Sequence, residues 1–117
     1  MDPRLQHGID LFNRCEFFVC HEVLEEIWTP ERGPRRLFLQ SLIHFAVACY
    51  HDQRGNPVGA TRQLRKGLRK LACYLPACEE IDTARLHRDG LAAVAVTETG
   101  AALEGYPQMR LIHTAGA

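Results

Sequence analysis

Net charge is the first thing this chain is without: fourteen basic and fourteen acidic side chains cancel over 117 residues. A protein that grips nucleic acid by neutralising phosphates carries an excess of Lys and Arg, so no nucleic-acid partner is expected. Long apolar runs are missing too. Phe45 to Tyr50, a run that no other exceeds, falls far short of the roughly 20 residues that cross a bilayer. Met1-Asp2-Pro3-Arg4-Leu5 has no apolar segment behind its charges that would make it a secretory leader. A cytoplasmic protein with no membrane partner is the expectation. No CxxC pair occurs among Cys15, Cys20, Cys49, Cys73 and Cys78, which excludes a zinc knuckle or a thioredoxin-type redox pair. Five is an odd number, so free thiols are expected, and Cys49, set among apolar residues, reads as a small buried hydrophobe. The sequence also has no internal repeat, no low-complexity segment, no glycine-rich phosphate loop and no nucleophile elbow for a Ser-His-Asp triad.

What is present is an ordinary globular composition, 46% hydrophobic and 24% charged, in a length that supports one core and hence a single domain over residues 1–117. Apolar residues recur at helical spacing. Leu5, Ile9 and Phe12 mark a helix from about Arg4 to Asn13, and a second runs from about Glu16 to Trp28. Two prolines and a glycine in Thr29 to Pro34 break the chain before a third helix, about Arg35 to Gln53, which is apolar around most of its circumference and must be surrounded by others. Gly55 and Pro57 punctuate the passage to a fourth helix, about Pro57 to Tyr74, with Leu64, Leu68 and Leu71 inward and a basic outer face. A fifth is expected from about Asp82 to Leu103, weakened by Gly90 and Gly100. Met109 to Ile112 should form a short extended tail on the bundle, with Thr114 to Ala117 frayed beyond it. The fold class predicted is all-α, a bundle of about five helices with the second and third central.

The residues that could carry chemistry concentrate in His21-Glu22-Val23-Leu24-Glu25-Glu26. His21 and Glu25 lie four apart on one face of the second helix, and Glu22 and Glu26 form another such pair rotated by about 100°. On the third helix, Gln40, His44 and His51 fall within an arc of roughly 40° on an otherwise apolar element. Buried polar groups need partners, and short connections make the second and third helices antiparallel neighbours, so His51 is expected to face His21 and Glu25 across the groove between them. Imidazole and carboxylate are the ordinary ligands of a divalent metal, zinc, manganese or iron, in a bundle core. On that reading His21, Glu25, His51 and His44 are the ligand pool, and Glu22 or Glu26 is the general base for a metal-bound water. The motif is not a true HExxH, and no Glu-x-x-His pair is present. The competing reading is a structural hydrogen-bond network in a non-catalytic binding or assembly module, with leftover apolar surface forming a homodimer interface. Trp28 reads as a core anchor whose indole N–H finds a carbonyl or carboxylate. The basic face of the fourth helix reads as a solvated face, and His7, His87 and His113 as surface residues.

Taken in order, Phe12-Asn13 with Phe17-Phe18, His21 to Glu25 with Trp28, Phe38-Leu39-Gln40, Ala48 through His51, Arg54-Gly55-Asn56 and Gly59-Ala60 make the chain resemble the domain-of-unknown-function family 309. Ile81-Asp82 and Pro107 to Leu111 extend the likeness. These are small bacterial and archaeal helical bundles labelled predicted metal-dependent hydrolases. The resemblance implies that fold and a common site of His21, Glu22, Glu25, Trp28, Gln40 and His51, and no established reaction; a small-molecule substrate of unknown identity is the partner expected. His44 departs from the family's usual glutamine or apolar residue, and Cys20 from its usual small one.

Overall fold

The computed structural model describes residues 1–112. Within them lie α1 (Pro3–Asn13), α2 (Phe17–Trp28), α3 (Arg36–Gln53), α4 (Pro57–Leu71), which tightens into a 3-10 turn at Ala72–Tyr74, and α5 (Thr83–Thr97). His113 and the segment Thr114 to Ala117 lie outside the described residues. Local chemistry sets the starts. The Asp2 carboxylate accepts from Arg4 N with Pro3 at the first helical position, Asn56 Oδ1 accepts from Gly59 N beside Pro57, and Asp82 Oδ1 accepts from Arg85 N. Each satisfies an N–H that the helix itself leaves unbonded.

Every helix packs on its neighbours in the chain: α1 on α2, α2 on α3, α3 on α4, α4 on α5. The apolar α3 therefore lies at the centre with α2 on one side and α4 on the other, which is why Phe38, Leu39, Leu42, Phe45, Ala46 and Cys49 are wholly buried. Close approach of α5 depends on glycine. A Cβ on Gly90 would stand 2.7 Å from the edge of the Phe45 ring, and one on Gly67 would stand 3.1 Å from it. Gly90, which weakens a helix by propensity, is thus the residue that lets α5 reach the core.

On α2 the buried positions are Phe17, Cys20, Leu24 and Ile27, and the Cys20 thiol donates to Gly8 O at 3.3 Å. One expectation changes. The last helix stops at Thr97 instead of Leu103, with Gly100 at φ +88° turning the chain away. The residues beyond are claimed by α3: the buried Asp52 carboxylate accepts from Leu103 N at 2.9 Å and from the Tyr106 hydroxyl at 2.8 Å. The tail then lies extended on the bundle. Asn13 exchanges two hydrogen bonds with the Met109 backbone, 2.8 and 2.9 Å, and Asp82 N donates to Arg110 O. No described helix is long and apolar enough to cross a membrane.

Candidate functional site

His21 and Glu25 meet as their spacing requires, Nε2 to Oε1 at 2.9 Å, with 27% and 46% of their side chains exposed. This is a solvent-reachable pair on the flank of α2. One turn earlier Phe18, half exposed, packs its ring on Tyr50 of α3 with centroids 5.5 Å apart, and its other side approaches His21 at 6.1 Å. Arg54 extends the ledge, its guanidinium 5.5 Å from the Tyr50 ring centre. Glu22 and Glu26 point to solvent on the same helix.

The described hydrogen bonds of the α3 stripe do not run to them. Gln40, His44 and His51 are each half-buried, and the bonds of the two histidines run to α4 and its cap. His44 Nδ1 lies 2.7 Å from Gln63 Oε1, and its Nε2 lies 2.7 Å from Lys70 Nζ. His51 Nδ1 is 3.3 Å from Asn56 Nδ2, and its ring stands 3.0 Å from where a Gly59 Cβ would be. The expected convergence of His44 and His51 on His21 and Glu25 does not appear among the described bonds: those of the two α3 histidines run to α4 and its cap, while His21 and Glu25 pair with each other. The physical reason is that a helical wheel reports which residues share a stripe, and a central helix has two neighbours that the stripe could face.

This division decides whether the residues fit a metal. Among the described residues no group of three or more His, Cys, Asp or Glu closes around one point. Both ring nitrogens of His44 are engaged, so a metal there would have to displace Gln63 or Lys70. The set as folded does not fit the expected centre, and we derive no step through one.

The proton arrangement at His44 follows from its partners. An ammonium has only donors, so Nε2 carries the lone pair that accepts from Lys70, and Nδ1–H donates to the Gln63 carbonyl. Burial, more than the cations of Lys70, Lys66 and Arg69, pushes the His44 imidazolium below its ordinary value of 6.5. Burial likewise holds the Lys70 ammonium below its usual value, with Lys66 and Arg69 adding to the effect.

Trp28 breaks a second expectation. Its Nε1–H is buried without a partner among the described residues. The acceptors at this end of α2 are taken by Arg36, which lies 4.1 Å over the indole ring and donates to Trp28 O and Glu31 O, each at 2.8 Å. The polar residue that sequence reasoning missed is Asp52. Its signal was there: Phe45, Cys49 and Asp52 stand at i, i+4 and i+7, which puts an acid on the most buried stripe of the most apolar helix.

Comparison with known proteins follows the same part of the molecule. A family model described as a domain of unknown function, DUF309, matches residues 5–63, which run from α1 into α4. A curated relative, the uncharacterized protein YpuF of Bacillus subtilis (strain 168), is 36% identical over 67 residues, covering 56% of this chain and 38% of its own length. The chain thus spans less than two thirds of that relative.

Proposed function

The chain belongs to the DUF309 family of unknown function, and from that premise we propose that it is a helical assembly module whose α2–α3 face joins two copies. One observation carries the reading. Phe18 and Val19 are 50% and 46% exposed at the start of α2, and the Phe18 ring continues onto Tyr50 of α3. An aromatic ledge left open, rimmed by His21, Glu25 and Arg54, has the make-up of an interface core with a polar border. A two-fold axis beside Phe18 would set the ledge against its own copy and bury it.

Sedimentation equilibrium tests this reading. The unmodified chain should dimerise, and Phe18→Asp should leave a folded monomer. A chain that stays monomeric up to millimolar concentration overturns the proposal.

Metal-dependent hydrolysis is the second reading, favoured by the His21–Glu25 contact, which supplies two donors of the right kind one turn apart. The remaining donors would have to come from outside the described chain. Elemental analysis of untagged protein after incubation with zinc, manganese or iron is decisive. Metal lost in Glu25→Gln supports this reading; absence of metal from the unmodified protein removes it.

A further inference from the structure

On the side of α3 away from the aromatic ledge, Leu37, Lys66, Arg69, Lys70 and Cys73 line an open cleft of about 460 Å³. Three facts distinguish it from an ordinary basic helix face. Its Lys66 and Lys70 are the two lysines of the chain, every other fixed cation except the N-terminus being arginine. Among the described residues no carboxylate lies within ion-pair distance of Lys66, Arg69 or Lys70. Lys70 Nζ is held 2.7 Å from a histidine nitrogen that can only accept, and that histidine is fixed in its tautomer by Gln63.

An ammonium next to a neutral imidazole and two further cations, with no counter-charge among the described residues, is poorly placed as a structural ion pair. It is well placed as an amine that must lose a proton before it reacts. We propose that Lys70 is a nucleophilic amine that condenses with aldehydes or ketones bearing a phosphate or carboxylate, the anion being gripped by Lys66 and Arg69. His44 Nε2 takes a proton from the Lys70 ammonium. The freed lone pair forms the C–N bond while the carbonyl π pair moves to oxygen, and a proton passes from nitrogen to that oxygen, giving a carbinolamine. The His44 imidazolium then returns its proton to the hydroxyl, which leaves as water, and a protonated imine remains. Ammonium and carbonyl have become iminium and water, with no change of oxidation state. Lys66, Arg69 and Lys70 all lie beyond the segment matched by the family model, so this is a property of the chain itself. It does not depend on the assembly reading of the opposite face.

The test uses pyridoxal 5′-phosphate, an aldehyde carrying a phosphate, and pyridoxal, which lacks it. The imine is trapped with borohydride and located by peptide mass spectrometry. With two lysines and one α-amine, the competition is internal to each molecule. The reduced adduct should form on Lys70 well ahead of Lys66 and the Met1 amine, and faster with the phosphorylated aldehyde. Lys66→Ala with Arg69→Ala should bring the two aldehydes to the same rate. His44→Gln should slow trapping at Lys70 by on the order of 100-fold, the lower range for a positioned proton carrier, with its melting curve recorded alongside. Equal labelling of Lys66 and Lys70 in the unmodified protein overturns the proposal, as does undiminished Lys70 labelling in folded His44→Gln. If that variant does not fold, the ratio of Lys70 to Lys66 adducts in the unmodified protein decides alone.

Discussion

Replacing Asp52 by Ala tests the residue that ties the end of the chain to the central helix. Its two oxygens accept from Leu103 N at 2.9 Å and from the Tyr106 hydroxyl at 2.8 Å, and the residue is buried. Hydrogen bonds to a charged group contribute about 1.5 to 3 kcal/mol each. The full sum is not expected, because truncation also relieves the cost of burying the carboxylate, and the half-buried Tyr106 hydroxyl can turn to water. A net loss of about 3 kcal/mol remains, dominated by the stranded Leu103 N–H. At about 3 to 6 °C per kcal/mol for a chain of this length, the melting temperature should fall by roughly 9 to 18 °C. Asp52→Asn, whose carbonyl keeps the Leu103 bond and whose amide can donate to the Tyr106 oxygen, should cost only about 1 kcal/mol. Circular dichroism gives the melting shift, and amide hydrogen exchange locates it: the Leu103 amide should lose protection in Asp52→Ala beyond the change seen in α3. If Asp52→Ala lies within about 0.5 kcal/mol of the unmodified protein, the range of an ordinary surface change, the carboxylate is not the anchor and the reasoning is refuted.

Gly90→Ala puts two effects in opposition. Helix propensity favours alanine by about 1 kcal/mol, but the new methyl would meet the buried Phe45 ring at 2.7 Å, and overpacking a core costs about 1 to 3 kcal/mol. The chemical denaturation midpoint should therefore fall; a rise would mean that α5 shifts freely. His44 titrates below its unfolded value of 6.5, so its contribution is present above that pH and is lost as pH falls through the lower folded value. Stability measured from pH 7 down to about 5 should decline less steeply in His44→Gln than in the unmodified protein, since no imidazolium then has to be buried, and none stands beside Lys66, Arg69 and Lys70; identical slopes would exclude His44 as a source of the decline. Burial pushes the Cys20 thiol up to about 12 and raises Cys49 further, whereas Cys15 and Cys73 are exposed. A thiol reagent should therefore modify Cys15 and Cys73 in the native protein and reach Cys20 and Cys49 only on unfolding.

Much of this molecule could be read from the chain, because what was legible is local. Apolar residues at helical spacing, with prolines and glycines between them, specify helices whichever way they later pack, and five helices follow with starts displaced by a residue at most. The His21–Glu25 contact is legible for the same reason, since four residues of helix determine it. Cys49 in the core and the extended tail near Met109 follow from pattern as well. The neighbour each stripe meets is not local. Gln40, His44 and His51 share a stripe by arithmetic, yet only the packing order of the helices turns the two histidines to α4, where Gln63, Lys70 and Asn56 take up ring nitrogens once expected to serve a metal. The end of α5 was decided at a distance too: Asp52, far back on α3, offers Leu103 and Tyr106 better bonds than another turn of helix could. Rotation about a helix axis leaves every sequence spacing unchanged, so the choice of partner belongs to the whole fold, and with it the separation of one expected site into an aromatic ledge on one side of α3 and a lysine cleft on the other.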